Sequence, residues 1–281
     1  MKKIKYTIVL ILLILTSFII SSCTFQDSSL TDSSSFRVIC LNAGKADAML
    51  LLSDNASIVL DTGNTGEGKV IVNTLKRLGV TSIDYLILTH FDKDHAGGAA
   101  YLIEEMDISH ILQTYPVKDN DAYHNYLKAV ADTSLSPEIV TSNYDFTLDS
   151  IAYHVIPPKY SSYTEKKSNN SSLVMQVIHG ENTFLFTGDI ENERLEELLQ
   201  DTSFDLNSTF LKVPHHGLYQ PLFPEFFRKI APSYAVITSS EDMPEDEGTL
   251  ALLDAIDCHT YLTKKGSILF ISDGKTIEAD Q

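Results

Sequence analysis

LTHFDKDHAGG, residues 88–98, decides how the rest of the chain is read. The run that leads into it, Tyr85-Leu86-Ile87-Leu88-Thr89, is short, aliphatic and uncharged, the pattern of a buried strand whose C-terminal end delivers His90. Four cation-binding groups follow within six residues: His90, Asp92, Asp94 and His95. Gly97-Gly98 then opens a helix and permits close backbone approach. Burying two imidazoles and two carboxylates together without a cation is costly, so the spacing points to a metal site and away from a solvated acidic loop.

Two later strands end in the same way. TFLFTGD (183–189) delivers Asp189, and LKVPHHG (211–217) delivers His215 and His216. Around them the chain alternates strands with helices from Phe36 onward. Phe36–Leu41, Ala48–Leu52 and Ala56–Leu60 read as strands, as do Ile151–Ile156, Leu173–Ile178, Phe210–Val213 and Tyr234–Thr238. KVIVNTLKRLG (69–79) has apolar residues at helical spacing and a glycine stop, and ENERLEELLQ (191–200) has acids in its first turn, which the helix dipole favours. Pro221–Ile230 and Thr249–Ile256 add helices, and hairpins are expected near Gly266 and Gly274. With no internal repeat and no second linker, residues 36–281 read as one α/β domain.

The N-terminus carries a different message. Lys2, Lys3 and Lys5 precede an apolar run too short for a spanning helix, and Ile20-Ser21-Ser22-Cys23 resembles a bacterial lipobox. Residues 1–22 are therefore expected to be a lipoprotein signal peptide and Cys23 the lipidated residue. Residues 23–35, rich in Ser and Asp, read as a flexible tether, which places the domain on the extracytoplasmic face of a membrane. The formal charge is −17; loss of residues 1–22 leaves 18 basic against 38 acidic side chains, a formal −20. Such a surface repels long polyanions and disfavours nucleic acid as a tightly held partner. Cys40 and Cys258 show no disulfide spacing pattern and are expected as buried thiols.

THxDxDHxGG, an apolar strand ending in TGD, and LKVxHHG together resemble the metallo-β-lactamase superfamily. The pattern lies near the C-terminal hydrolase domain of ComEC-type competence proteins and their stand-alone relatives. CLNAGKADAMLL (40–51) resembles that branch's opening strand, LDTG (60–63) its second-strand turn, and SNNSSLVMQV (168–177) its Asn-x-Ser strand. The resemblance implies an αββα four-layer sandwich with metals at one edge. It also implies two divalent ions, Zn²⁺ or Mn²⁺, on His90, Asp92, Asp94, His95, Asp189 and one of the tandem histidines. The motif itself does not choose between those two. We assign His215 to the metal, and His216 with Asp94 to catalysis. Asn170 falls where the wider superfamily has a third histidine; Asn170 and Ser172 are candidates for substrate contact or for support of the ligands. Tyr115, Tyr123 and Tyr126 fall where this fold usually carries substrate-covering insertions.

Asp92 stands where many members have histidine, Lys45-Ala46 replace Gln-Gly, and Leu218 replaces the Ser after HHG. DNA uptake does not follow from the resemblance, because the branch's membrane channel and OB domain are not found in these residues. An oxygen-rich ligand set shifts preference from Zn²⁺ toward Mn²⁺ or Mg²⁺ without excluding Zn²⁺. Paired divalent ions activate water, so no serine or cysteine nucleophile is required. The expected activity is hydrolysis of a small or extracellular phosphodiester. The alternatives are an ester, lactone or β-lactam substrate on the same centre, and a non-catalytic binding lipoprotein.

Overall fold

The structure, a computed structural model, describes residues 35–281. The signal segment 1–22, Cys23 and all but the last residue of the tether lie outside the described residues. Residues 35–281 form a compact unit with its own core.

Two mixed sheets make up that unit. The first contains β1 (Phe36–Cys40), β2 (Ala48–Leu52), β3 (Ser57–Thr62), β4 (Ser82–Leu88), β5 (Asp107–Gln113) and β6 (Glu138–Ile139) in that order. It is extended beyond β1 by β14 (Ile268–Ser272) and β15 (Ile277–Asp280). The second runs β7 (Tyr144–Leu148), β8 (Ile151–Ile156), β9 (Val174–His179), β10 (Asn182–Phe186), β11 (Phe210–Lys212), β12 (Tyr234–Ile237), β13 (His259–Leu262). Each sheet is antiparallel in one part and parallel in the other. The parallel parts are β3 to β6 and β10 to β13.

Parallel neighbours need crossovers, and helices supply most of them. In the first sheet these are α1 (Glu67–Arg77), the pair α2 (Lys93–Ala96) and α3 (Ala99–Glu105), and α4 (Asp121–Ala131). After the short α5 (Lys167–Asn170), the second sheet uses α6 (Asn192–Gln200), α7 (Phe223–Ile230) and α8 (Glu247–Asp254). The apolar residues of α1 that become buried, Ile71, Val72 and Leu75, have the spacing of one helix face.

Side-chain alternation along the strands divides the core into three layers. On β4, Tyr85 and Ile87 join the cluster between the sheets, with Phe36, Phe184, Phe210 and Phe270. Leu86 and Leu88 point the other way, against Ile71, Leu75 and Leu102 of the first sheet's helices. Leu211 of β11 meets Leu195, Phe223, Phe227 and Leu253 beneath the second sheet's helices. Helix, sheet, sheet, helix is the expected four-layer sandwich. Its parallel strands aim their C-terminal ends at one edge, where loops can collect ligands from both sheets.

Two expectations change. Gly274 lies in a hairpin turn between β14 and β15, but Gly266 does not close a hairpin, because β13 and β14 belong to different sheets. Gly266, at φ +146°, instead carries the chain from one sheet to the other, a long-range route that local turn chemistry does not reveal. Tyr123 and Tyr126 do not cover a substrate. They pack from α4 onto Phe91, inside the metal-binding loop, and the fully buried Tyr126 hydroxyl donates to Gln113 Oε1. Cys40 and Cys258 are free, buried thiols in separate core layers.

Candidate metal centre

Parallel strand ends from both sheets meet at the edge of the sandwich. β3 ends near Asp61, β4 leads into His90 and the loop bearing Asp92, Asp94 and His95, β10 leads to Asp189, and β11 to His215 and His216. Gly188 makes the turn before Asp189 possible: at φ +52°, a Cβ there would lie 2.9 Å from the Ser172 side chain and 3.0 Å from Thr89 Oγ1. Gly98 is equally constrained, since a Cβ would come within 2.4 Å of the Thr62 carbonyl.

Asp94, His95, Asp189 and His216 come together as one group of four potential ligands. Asp189 Oδ2 lies 3.2 Å from His95 Nε2 and 3.2 Å from His216 Nε2, and Asp94 Oδ2 lies 3.4 Å from His216 Nε2. The Nε2 atoms of His90, His95 and His216, together with Asp189 Oδ1, are buried without a hydrogen-bond partner. Unsatisfied buried polar atoms are rare, and the Nε2 atoms of His95 and His216, each 3.2 Å from Asp189 Oδ2, fit a cation held between them. The electrostatics agree. Burial alone would raise the Asp189 pKa, yet His216 and His95 pull it well below the usual carboxylate range. Asp94, also opposed by burial, is held low by His216, whose Nε2 lies 3.4 Å away, and by His95.

Each imidazole is oriented from behind through Nδ1, the arrangement that bares Nε2 for a metal. His95 Nδ1 lies 2.8 Å from Asp61 Oδ2, and Asp61 also accepts from the Thr89 backbone and hydroxyl. His216 Nδ1 lies 2.9 Å from Thr238 Oγ1, whose hydroxyl donates to Asp47 Oδ1 at 2.6 Å. His90 Nδ1 has the hydroxyl oxygens of Thr89 and Ser172 at 3.1 and 3.3 Å, and burial holds this ring neutral, its pKa down to about 3.

A second acidic group, Asp47, Asp61 and His95, is fully buried beneath the first. Its cation is already present. The Lys212 ammonium pairs with Asp47, donates to the Gly188 carbonyl at 3.0 Å and lies 3.6 Å from Asp189 Oδ1. Burial would lower the Lys212 pKa, but Asp47 and Asp189 raise it, so the group stays charged.

The remaining expected residues fall into place around this core. His215 and His216 stand in the reverse of their expected order. His216 is buried among the four ligands, whereas His215 lies at the rim, its Nε2 4.0 Å from Asp189 Oδ2 and its Nδ1 3.2 Å from Glu191 Oε1. Both histidines and Gly217 have left-handed backbone, φ +48°, +54° and +74°; for the non-glycine residues this is strain of the kind that collects at functional sites. That run turns His216 inward, a feature with no sequence signal beyond the glycine. Asp92 is not drawn into the four-ligand group: it lies 4.0 Å from His90 Nε2 and is engaged by Lys118 Nζ at 3.0 Å and by the Ser168 hydroxyl.

Asn170 does not face the cluster. Its Oδ1 accepts from the backbone of Glu191 at 2.8 Å and its Nδ2 donates to the Glu165 carbonyl, so it fastens two loops. Ser172 supports His90 and accepts from Asp189 N at 3.3 Å. Of the solitary histidines, His110 stacks on Tyr85, His154 pairs with Asp145, and His179 binds Ser272. Asp47, Asp61, Lys212 and Thr238 had not been singled out. For Asp61 and Lys212 the available signal was a charged residue inside an apolar strand, clearest for Lys212 in Phe210-Leu211-Lys212-Val213; Asp47 and Thr238 left none.

The sequence model described as the metallo-beta-lactamase superfamily matches residues 41–239. The chain is 26% identical over 229 residues to ComE operon protein 3 of Bacillus subtilis, covering 75% of this chain and 29% of that protein. It is 25% identical over 222 residues to competence protein ComA of Neisseria gonorrhoeae, covering 78% and 29%. The chain thus spans under a third of the length of these relatives. Among solved structures, the metallo-beta-lactamase fold protein YhfI from Bacillus subtilis superposes with a TM-score of 0.57 at 10% identity, covering 87% of this chain and all of that one.

The buried cation is open to direct test. Lys212→Met strands Asp47 and Asp189 without their ammonium and is expected to cost about 3–5 kcal/mol of unfolding free energy in urea. A loss below about 1 kcal/mol would mean that the pair does not hold the site together.

Proposed function

The chain belongs to the metallo-beta-lactamase superfamily of metal-dependent hydrolases, and from that premise we propose that it is a phosphodiesterase acting outside the cytoplasm. The observation that carries the reading is the four-ligand group of two carboxylates and two imidazoles, with Asp94 its most solvent-accessible member. Two carboxylates beside two imidazoles admit Mn²⁺ as well as Zn²⁺, and such ions suit anionic oxygen substrates. The relatives named for competence add a link to nucleic-acid biology, which reaches this chain only as part of the proposal.

Asp94, His95, Asp189 and His216 would hold the tighter ion, and His90 with Asp92 the weaker, sharing Asp189. Asp92 is engaged by Lys118 and Ser168 and would have to exchange them for the ion, which would make that site the weaker. Divalent ions held there supply Lewis acidity and lower the pKa of a water. This chain's own groups do the rest. Asp94, ionised and partly exposed, can orient a water toward phosphorus by accepting a hydrogen bond from it. His215 is kept neutral by burial, its pKa near 4, and stands at the rim with its Nε2 3.4 Å from the Asn169 amide nitrogen, where it can contact the substrate. Asp61 and Thr238 fix the ring orientations of His95 and His216 throughout.

Residues 24–281 loaded with Mn²⁺ should hydrolyse bis-(p-nitrophenyl) phosphate and leave nitrocefin intact. His216→Ala should lower bound metal and turnover together, while His215→Ala keeps the metal and loses turnover. Rapid nitrocefin cleavage with silence on phosphodiesters would make a carbonyl substrate the better account.

We further propose that Cys23 carries a lipid that tethers the domain to the outer face of a membrane. No helix among the described residues is long and apolar enough to cross one. The full chain should partition into detergent and Cys23→Ala should not; equal partitioning of the two would contradict a lipid anchor.

A further inference from the structure

Beside Asp92 the surface folds into a cavity of about 410 Å³, within the range of small-ligand sites. Its lining includes Lys118, Lys166 and Lys167 together with Ser168 and Asn169, and Asp92 is the one acid among the lining residues. Three lysines lining one concavity are out of character for a chain of formal charge −17 with 21 basic residues in all. Lysines scattered over a surface are ordinary. Three that line one cleft beside a proposed metal ligand are not, and we propose that this cleft is an anion subsite that takes a phosphate group of the substrate next to the bond cleaved.

The segments that carry the lysines are fixed. The Glu193 carboxylate accepts from the backbone of Thr164 and Glu165 at 2.9 and 3.1 Å. Asn170 ties the other side, donating from its side chain to the Glu165 carbonyl and from its backbone to the Lys166 carbonyl. Lys166 itself has left-handed backbone, φ +43°. Opposite, Asn120 fastens the loop bearing Lys118 by donating to the Phe91 carbonyl at 2.8 Å. Lys118 neutralises Asp92, and Lys166 and Lys167 are exposed and free of any ion pair among the described residues. Their two ammonium groups, on a segment held in place, are what a phosphate recognises. The cleft also resolves the conflict between an acidic surface and an anionic substrate: repulsion acts over the whole molecule, attraction only beside the proposed catalytic ions. A substrate with one phosphodiester and a second phosphate close by satisfies both sites.

The identity of the substrate rests on the phosphodiester reading; the existence of the subsite does not. The probe is inorganic phosphate, titrated at low ionic strength into ¹⁵N-labelled residues 24–281 loaded with Zn²⁺. Saturable shifts are expected at Lys118, Lys166, Lys167 and Ser168, with affinity falling about tenfold in K166A/K167A and recovered in K166R/K167R. Shifts confined to His95, His216 and their neighbours, or an affinity unchanged in K166A/K167A, would overturn the subsite. Pocket shifts in a protein that turns over no phosphodiester would support the subsite and overturn the phosphodiester reading alone.

Discussion

A lysine and an aspartate, both sealed from solvent, hold the two sheets together at the edge that matters. Lys212 stands on β11 of the second sheet and Asp47 on the turn between β1 and β2 of the first; their ion pair lies directly under the four potential metal ligands. Backbone contacts lock the aspartate in place, its N–H donating to the Asp94 carbonyl and its own carbonyl accepting from Gly63. Through Thr238 the same carboxylate sets the ring of His216, and through Gly188 the same ammonium sets the turn that presents Asp189. Pulling either group out of water is unfavourable by several kcal/mol, so each is tolerable only because the other is there. One pair thus couples the packing of the sandwich to the geometry of its chemistry.

The layout of the sheets explains why the ligands are where they are. Each sheet is parallel over one part, so its strand ends and the loops after them emerge at a common edge, and packing the sheets face to face brings the two edges together. Strain is present there as well. Asp61, His215 and His216 all occupy left-handed backbone, a cost of about 1–3 kcal/mol each that the surrounding packing has to offset. The core of Phe36, Phe184, Phe210 and Phe270 packs between the two sheets whose strands lead to that edge.

Much of this was legible in the sequence because it depends on local pattern. β2 and β8 have the bounds their apolar runs suggest, and the helices at 67–77 and 192–200 follow from spacing, Gly79 and first-turn acids. The metal loop was legible for the same reason, since four ligands in six residues need no tertiary context. What escaped depends on contacts distant in sequence. Asp47 and Thr238 are 191 residues apart, and nothing local to either announces the hydrogen bond that orients His216. The order of His215 and His216 depends on three consecutive left-handed residues, of which only Gly217 leaves a trace. Asn170 occupies a position that resemblance associates with a ligand, but its side chain is used to hold two loops. Gly266 has the composition of a hairpin turn and serves as a crossing between sheets.

The opposition between a charge of −17 and a proposed anionic substrate is resolved locally, by placing positive charge only where it is useful: Lys212 sealed beneath the ligands, Lys118, Lys166 and Lys167 at the cleft beside them. The central claim is that Asp94, His95, Asp189 and His216 bind a divalent ion, and that Asp47 and Asp61 support them without binding one. Anomalous diffraction at the manganese absorption edge, on crystals of residues 24–281 grown with Mn²⁺, tests it most directly. The account predicts a peak between the Nε2 atoms of His95 and His216 and the carboxylates of Asp94 and Asp189. A peak between Asp47, Asp61 and His95, with Lys212 displaced, would contradict it.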